Sequence, residues 1–171
     1  PKKGSFIIAA NHSSYFDFIF LYVFIPRRIT FLAAEKFFAS RFWRPFMKIT
    51  GQIKVDRGSG DKGGVYEQVD ELISKNGVLG IFPEGTRSRS GKIQKAYSGV
   101  AKFANKYNIP IVPVGISGTY EIMSPHDNFP KFKKGKINIG ASLIVDSDDY
   151  EGETRKIMKT ISALAGQSYE F

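Results

Sequence analysis

The sequence predicts an α/β fold: a single domain with a mainly parallel central sheet flanked by helices. Three observations carry that expectation. Six apolar runs with strand character recur at regular spacing, helical periodicities lie between several of them, and polar residues gather directly after the first, third and fourth runs. Strands alternating with helices build βαβ units, whose parallel strands are covered on both faces. In such folds ligands bind beyond the carboxyl ends of the strands. Clusters recurring there point to a site, because helix capping alone does not explain three of them.

The runs are SFIIAA (5–10), ITFLAA (29–34), QIKVD (52–56), GVLGIF (77–82), IPIVPVGI (109–116) and KINIGASLIV (136–145). Val65, Val69, Leu72 and Ile73 fall at i, i+4, i+7 and i+8, one face of a helix between the third and fourth runs. Ile157, Ile161 and Leu164 repeat the pattern near the C-terminus. No internal repeat, low-complexity tract or long linker divides residues 1–171, and that length sustains one independent core.

Composition narrows the class. With 42% hydrophobic and 24% charged residues the chain is expected to be globular. A net charge of +9 calls for an anionic partner: nucleic acid, an acidic membrane surface or a phosphorylated substrate. The absence of cysteine excludes disulfides, thiolate metal sites and a cysteine nucleophile. The longest apolar run, FIFLYVFI at 18–25, has eight residues, where a membrane-spanning helix needs about 20. The opening PKKGSFIIAANH enters a strand-like run almost at once and does not resemble a signal peptide. Such an abrupt start suggests a segment preceding it in a longer chain.

After the first strand comes NHSSYFD (11–17), with one of two histidines. Two readings compete. Ser14 followed by Asp17 fits a capping box, which would make Asp17 structural. Alternatively His12, in the turn, folds back so that Asp17 in the first helical turn bonds one ring nitrogen and leaves the other as a proton acceptor. A helix N-terminus nearby would help keep the free imidazole neutral.

FPEGTRSRSG (82–91) leaves its strand through Pro83, turns at Gly85, and presents Glu84, Thr86, Arg87, Ser88 and Arg89. Paired arginines with hydroxyls and exposed amides suit a phosphate or another oxyanion. GQIKVDRGSGDKGG (51–64) contains G-x-G-x-x-G as GSGDKG, the pattern of a dinucleotide-binding turn. Lys54 in the preceding strand, with Asp56 and Arg57 before the first glycine, argues against that use; Arg57 reads better as an anion contact. RFWRPF (41–46) interleaves arginine with aromatic rings, as at a membrane interface, and KFKKGK (131–136) is a compact basic patch. His126, in SPHDNFP, reads as a surface histidine, with too few ligands nearby for a metal.

Together these stretches resemble the glycerolipid acyltransferases, the 1-acylglycerol-3-phosphate O-acyltransferases and their relatives. NHSSYFD matches the family's N-H-x-x-x-x-D block, GQIKVDR its second block, FPEGTRS its third and IPIVPVGI its proline-containing fourth, in that order between residues 11 and 116. The resemblance implies one acyltransferase domain over residues 1–171. It implies transfer of a fatty acyl group from acyl-CoA or acyl carrier protein to a lysophospholipid hydroxyl, above all 1-acylglycerol-3-phosphate, in phospholipid biosynthesis. His12 would be the general base and Asp17 its orienting carboxylate. Arg57 and Arg87 would bind the acceptor phosphate, with Lys36 a lesser candidate, and Glu84, Gly85 and Thr86 would shape the acceptor pocket. No metal and no cofactor beyond the thioester is implied. The implied partners are the two substrates and an anionic membrane met peripherally at its cytoplasmic face, not nucleic acid.

Two departures stand out. Members often carry F-[KR]-x-G after the third block, where this chain has AYSG at 96–99. They also commonly have membrane-associating helices before the first block; here either a preceding segment or the aromatic and basic stretches would serve. The competing functions are a nucleotide-binding oxidoreductase using GSGDKG and a non-catalytic module docking on anionic lipid.

Overall fold

The computed structural model describes residues 1–39, 41, 50–55 and 63–171. Its strands are β1 (Phe6–Ala10), β2 (Ile29–Ala34), β3 (Ile53–Val55), β4 (Val78–Ile81), β5 (Ile111–Ser117) and β6 (Lys136–Ile139). They form one sheet in the order β3-β2-β4-β1-β5-β6, parallel throughout except for β6, which runs antiparallel to β5. The described helices are α1 (Phe16–Phe24), α2 (Glu35–Ala39), α3 (Gly63–Ser74), α4 (Gly99–Tyr107), α5 (Thr119–Ile122) and α6 (Tyr150–Ala165). The expected α/β domain with a mainly parallel sheet is what forms.

β1 lies between β4 and β5 and is buried along its whole length, which is why FIIAA is continuously apolar. Its alternate residues feed two cores. Ile7 and Ala9 join Leu79, Ile111 and the α4 and α6 residues Val100, Phe103, Ile157 and Ile161. Phe6, Ile8 and Ala10 join Ile29, Phe31, Val114 and Leu21 of α1 on the opposite face. Gly80 makes that second core possible: a Cβ there would sit 2.4 Å from Phe31 Cδ1.

The last expected strand is shorter than its apolar run. Regular pairing ends at Ile139; beyond Gly140, Leu143 makes only an isolated bridge to Ile111. Past the end of β1, Asn11 adds one more rung to the sheet. Its side-chain amide donates to Ile116 O and accepts from Ile116 N, both at 2.8 Å. The carboxyl ends of β1 and β4 thus open side by side at one rim of a rigid sheet.

Candidate active site

His12 is the second residue beyond β1, and Asp17 lies in the first turn of α1. One carboxylate oxygen, Asp17 Oδ2, accepts from His12 Nδ1 at 2.8 Å, Ser13 N at 2.7 Å and Ser14 N at 2.8 Å. Ser14 Oγ in turn accepts from Phe16 N at 3.1 Å. The capping and orienting readings therefore meet in the same carboxylate: it accepts from the amides of Ser13 and Ser14, just ahead of α1, and holds the imidazole. The ring is further fixed by stacking on Phe82, with centroids 4.0 Å apart, and by the edge of Phe18 at 5.5 Å. With Nδ1 committed to a buried carboxylate, Nε2 is the nitrogen left to act as an acceptor.

The segment after β4 grips the backbone of the same histidine. Phe82-Pro83-Glu84-Gly85 closes a turn through Gly85 N donating to Phe82 O at 2.9 Å, with Gly85 at φ 71°. Proline in the second position and glycine in the fourth suit that geometry. The turn sends Glu84 inward, where it is 2% exposed. Glu84 Oε1 accepts from His12 N and Oε2 from Gln94 N, both at 2.8 Å, while Ser88 N donates to His12 O at 2.8 Å. Burial pushes the Glu84 carboxyl up to about 7, against the two amide donors that favour its anion, and the Asp17 charge adds to the rise.

Thr86 and Arg87 follow on the cleft side. The Arg87 guanidinium lies 3.6 Å from the centre of the Tyr15 ring and donates to Tyr15 Oη at 3.0 Å. His12, Gly85, Thr86, Arg87 and Arg89 all line one cleft of about 1150 Å³. Its apolar wall includes Phe18, Leu32, Val55, Phe82 and Met123. A cleft with one apolar wall and a few convergent polar groups suits an amphiphilic substrate.

Asp17 and Glu84 stand buried behind this surface, holding His12 from its side chain and its backbone. Lys36 lies in α2, directly beyond β2, and its side chain is outside what the structure describes. Arg57 lies outside the described residues, as do residues 42–46 of RFWRPF and 58–62 of GSGDKG. His126 is exposed as expected, but it stands on the rim of this cleft, its Nε2 3.2 Å from Arg89 O. Sequence reading missed Tyr15, Phe82 and Gln94. Tyr15 and Phe82 lie inside or beside the quoted motifs, so proximity was a usable signal; nothing local marks Gln94.

A family model described as acyltransferase matches residues 1–117. The chain is 29% identical over 140 residues to a 1-acyl-sn-glycerol-3-phosphate acyltransferase of Bacillus subtilis, covering 81% of this chain and 66% of that one. It is 31% identical over 132 residues to one of Helicobacter pylori, covering 72% and 55%. The crystal structure of the 1-acyl-sn-glycerophosphate acyltransferase PlsC of Thermotoga maritima shares the fold, with a TM-score of 0.78 at 22% identity over all of this chain and 70% of that one. The chain thus spans about half to two thirds of the length of these curated relatives. It belongs to the acyltransferase family.

Proposed function

We propose that this chain moves a fatty acyl group from a thioester, acyl-CoA or acyl carrier protein, to the free hydroxyl of 1-acylglycerol-3-phosphate. One observation carries the reading: the His12–Asp17 pair opens onto the same cleft as Arg87. In the first step His12 Nε2 takes the hydroxyl proton as the oxygen bonds to the thioester carbonyl carbon. The Asp17 carboxylate stabilises the imidazolium so formed. The tetrahedral adduct then collapses, the C–S bond breaks, and imidazolium protonates the departing thiolate. Atoms and protons balance with the two substrates and His12 alone, so no acyl-enzyme is required. Arg87, held over the Tyr15 ring, meets the acceptor phosphate, and the apolar wall takes an acyl chain.

The membrane side of the reading rests on the surface. No helix among the described residues is long and apolar enough to cross a bilayer. Lys131, Lys133, Lys134 and Lys136 are exposed beside Phe129 and Phe132, also exposed, a combination that suits peripheral contact with anionic lipid. The test is thiol release with acyl-CoA and acyl carrier protein in turn, against a small acceptor panel. Faster release with 1-acylglycerol-3-phosphate than with 1-acylglycerol is the expected outcome. Equal rates for the two would remove the phosphate role given to Arg87.

A further inference from the structure

The loop that carries Arg87 and Glu84 continues to Tyr97, and the C-terminal tail fastens it. α6 ends at Gly166, whose φ of 71° reverses the chain, and Gln167 N donates back to Ser162 O at 2.9 Å. The reversal aims the Gln167 side chain at the loop. Its Oε1 accepts from Ile93 N at 2.9 Å and its Nε2 donates to Gly91 O at 3.1 Å. Tyr169 Oη accepts from Ala96 N at 3.3 Å. Between these anchors sits Gln94, whose N–H reaches Glu84 Oε2, while Glu84 Oε1 holds the His12 backbone. The tail lies beyond residues 1–117, the stretch matched by the family model.

We propose that Gln167 is a positioning residue for the active site. By pairing with the backbone at both Gly91 and Ile93, it fixes the N–H that Gln94 gives to Glu84, and through Glu84 the seat of His12. A side-chain amide is the group this requires, since one end must accept and the other donate. The kinetic part of this inference rests on the acyltransferase reading; the structural part does not.

Two variants separate positioning from simple stabilisation. Gln167→Met keeps the size of the side chain and loses both bonds. Gln167→Glu keeps only the acceptor when ionised and sets its charge against Gly91 O; when protonated, its hydroxyl restores the donor. The readouts are amide exchange at Ile93 and Gln94 against the β1 amides, NMR titration of the Glu84 carboxyl carbon, and steady-state thiol release. In Gln167→Met, exchange at Ile93 and Gln94 accelerates while β1 is unchanged. Glu84 titrates at higher pH, having lost a donor, and kcat/KM falls about tenfold. Gln167→Glu, ionised at neutral pH because an ordinary Glu carboxyl titrates at about 4.3, keeps only the acceptor towards Ile93 N, and its kcat/KM falls between the wild type and Gln167→Met. Unchanged exchange at Gln94 with an unchanged Glu84 titration would overturn the proposal. So would a lowered Tm accompanied by a wild-type kcat/KM in both variants. If the wild type transfers no acyl group to any acceptor, the acyltransferase reading fails instead, and exchange and titration still decide the role of Gln167.

Discussion

Around the His12 imidazole, the hydrogen bonds to Asp17 join residues no more than five apart in sequence. Around Glu84, the two donors come from 10 and 72 residues away, and Gln167, which holds the loop, lies 74 residues from Ile93. The first arrangement needs little more than the start of α1. The second exists only once β1, β4 and the tail after α6 have come together. The imidazole is thus aimed locally, whereas its backbone and the loop that carries Arg87 are placed by the tertiary fold.

Disabling the local half should cost most. In Asp17→Asn, the amide oxygen keeps the bonds from Ser13 N and Ser14 N, but the charge proposed to stabilise imidazolium is gone. We expect kcat to fall about 1000-fold with little change in Tm, which steady-state thiol release and calorimetry would report. A variant within tenfold of the wild type would show that the local carboxylate does not drive the chemistry. Within the distant half, Arg87→Ala removes the group proposed to bind the acceptor phosphate, and the acceptor KM should rise about 100-fold while kcat changes little. Tyr15→Phe keeps the ring beneath Arg87 and loses only the hydroxyl acceptor, so about threefold in KM is expected. An acceptor KM indifferent to both substitutions would place the phosphate elsewhere.

The last effect is one of pH, and it acts on stability rather than on turnover. The Glu84 carboxyl is raised from an ordinary 4.5 to about 7 by burial, so the folded state holds its proton longer than the unfolded chain does. Its contribution to stability is fully present below about pH 4.5 and is lost as pH rises through about 7, on the order of 3 kcal/mol in all. Denaturant melts across that window should show the fall, and Glu84→Gln should flatten it. That variant also costs about 2 kcal/mol at low pH, because one amide N–H then faces the new NH2 group. A wild-type curve without this fall would contradict the burial of Glu84.

The same division explains what could be read from the sequence. Strands β1, β4 and β5 are apolar runs buried almost throughout, and burial on both faces of a parallel sheet leaves that mark on each. KINIGASLIV overstated its strand because apolarity does not reveal where Gly140 breaks the pairing. The helix α4 was legible yet unread: Val100, Phe103, Ala104 and Tyr107 repeat on one face, and three of them are buried. At the site, His12 and Asp17 could be paired from spacing because the partners share one turn. Glu84 could be singled out, but its partners could not, since a backbone N–H carries no sequence signature. Asn11 pairing with Ile116 and Gln167 pairing with Ile93 are hidden for the same reason.

The most direct measurement compares thiol release by the wild type and by His12→Ala, with acyl-CoA and 1-acylglycerol-3-phosphate supplied together and thermal melts run alongside. Loss of about 1000-fold or more in turnover with the melting transition retained is the predicted result. Turnover within tenfold of the wild type, in a folded His12→Ala protein, would contradict the assignment of His12 as the base.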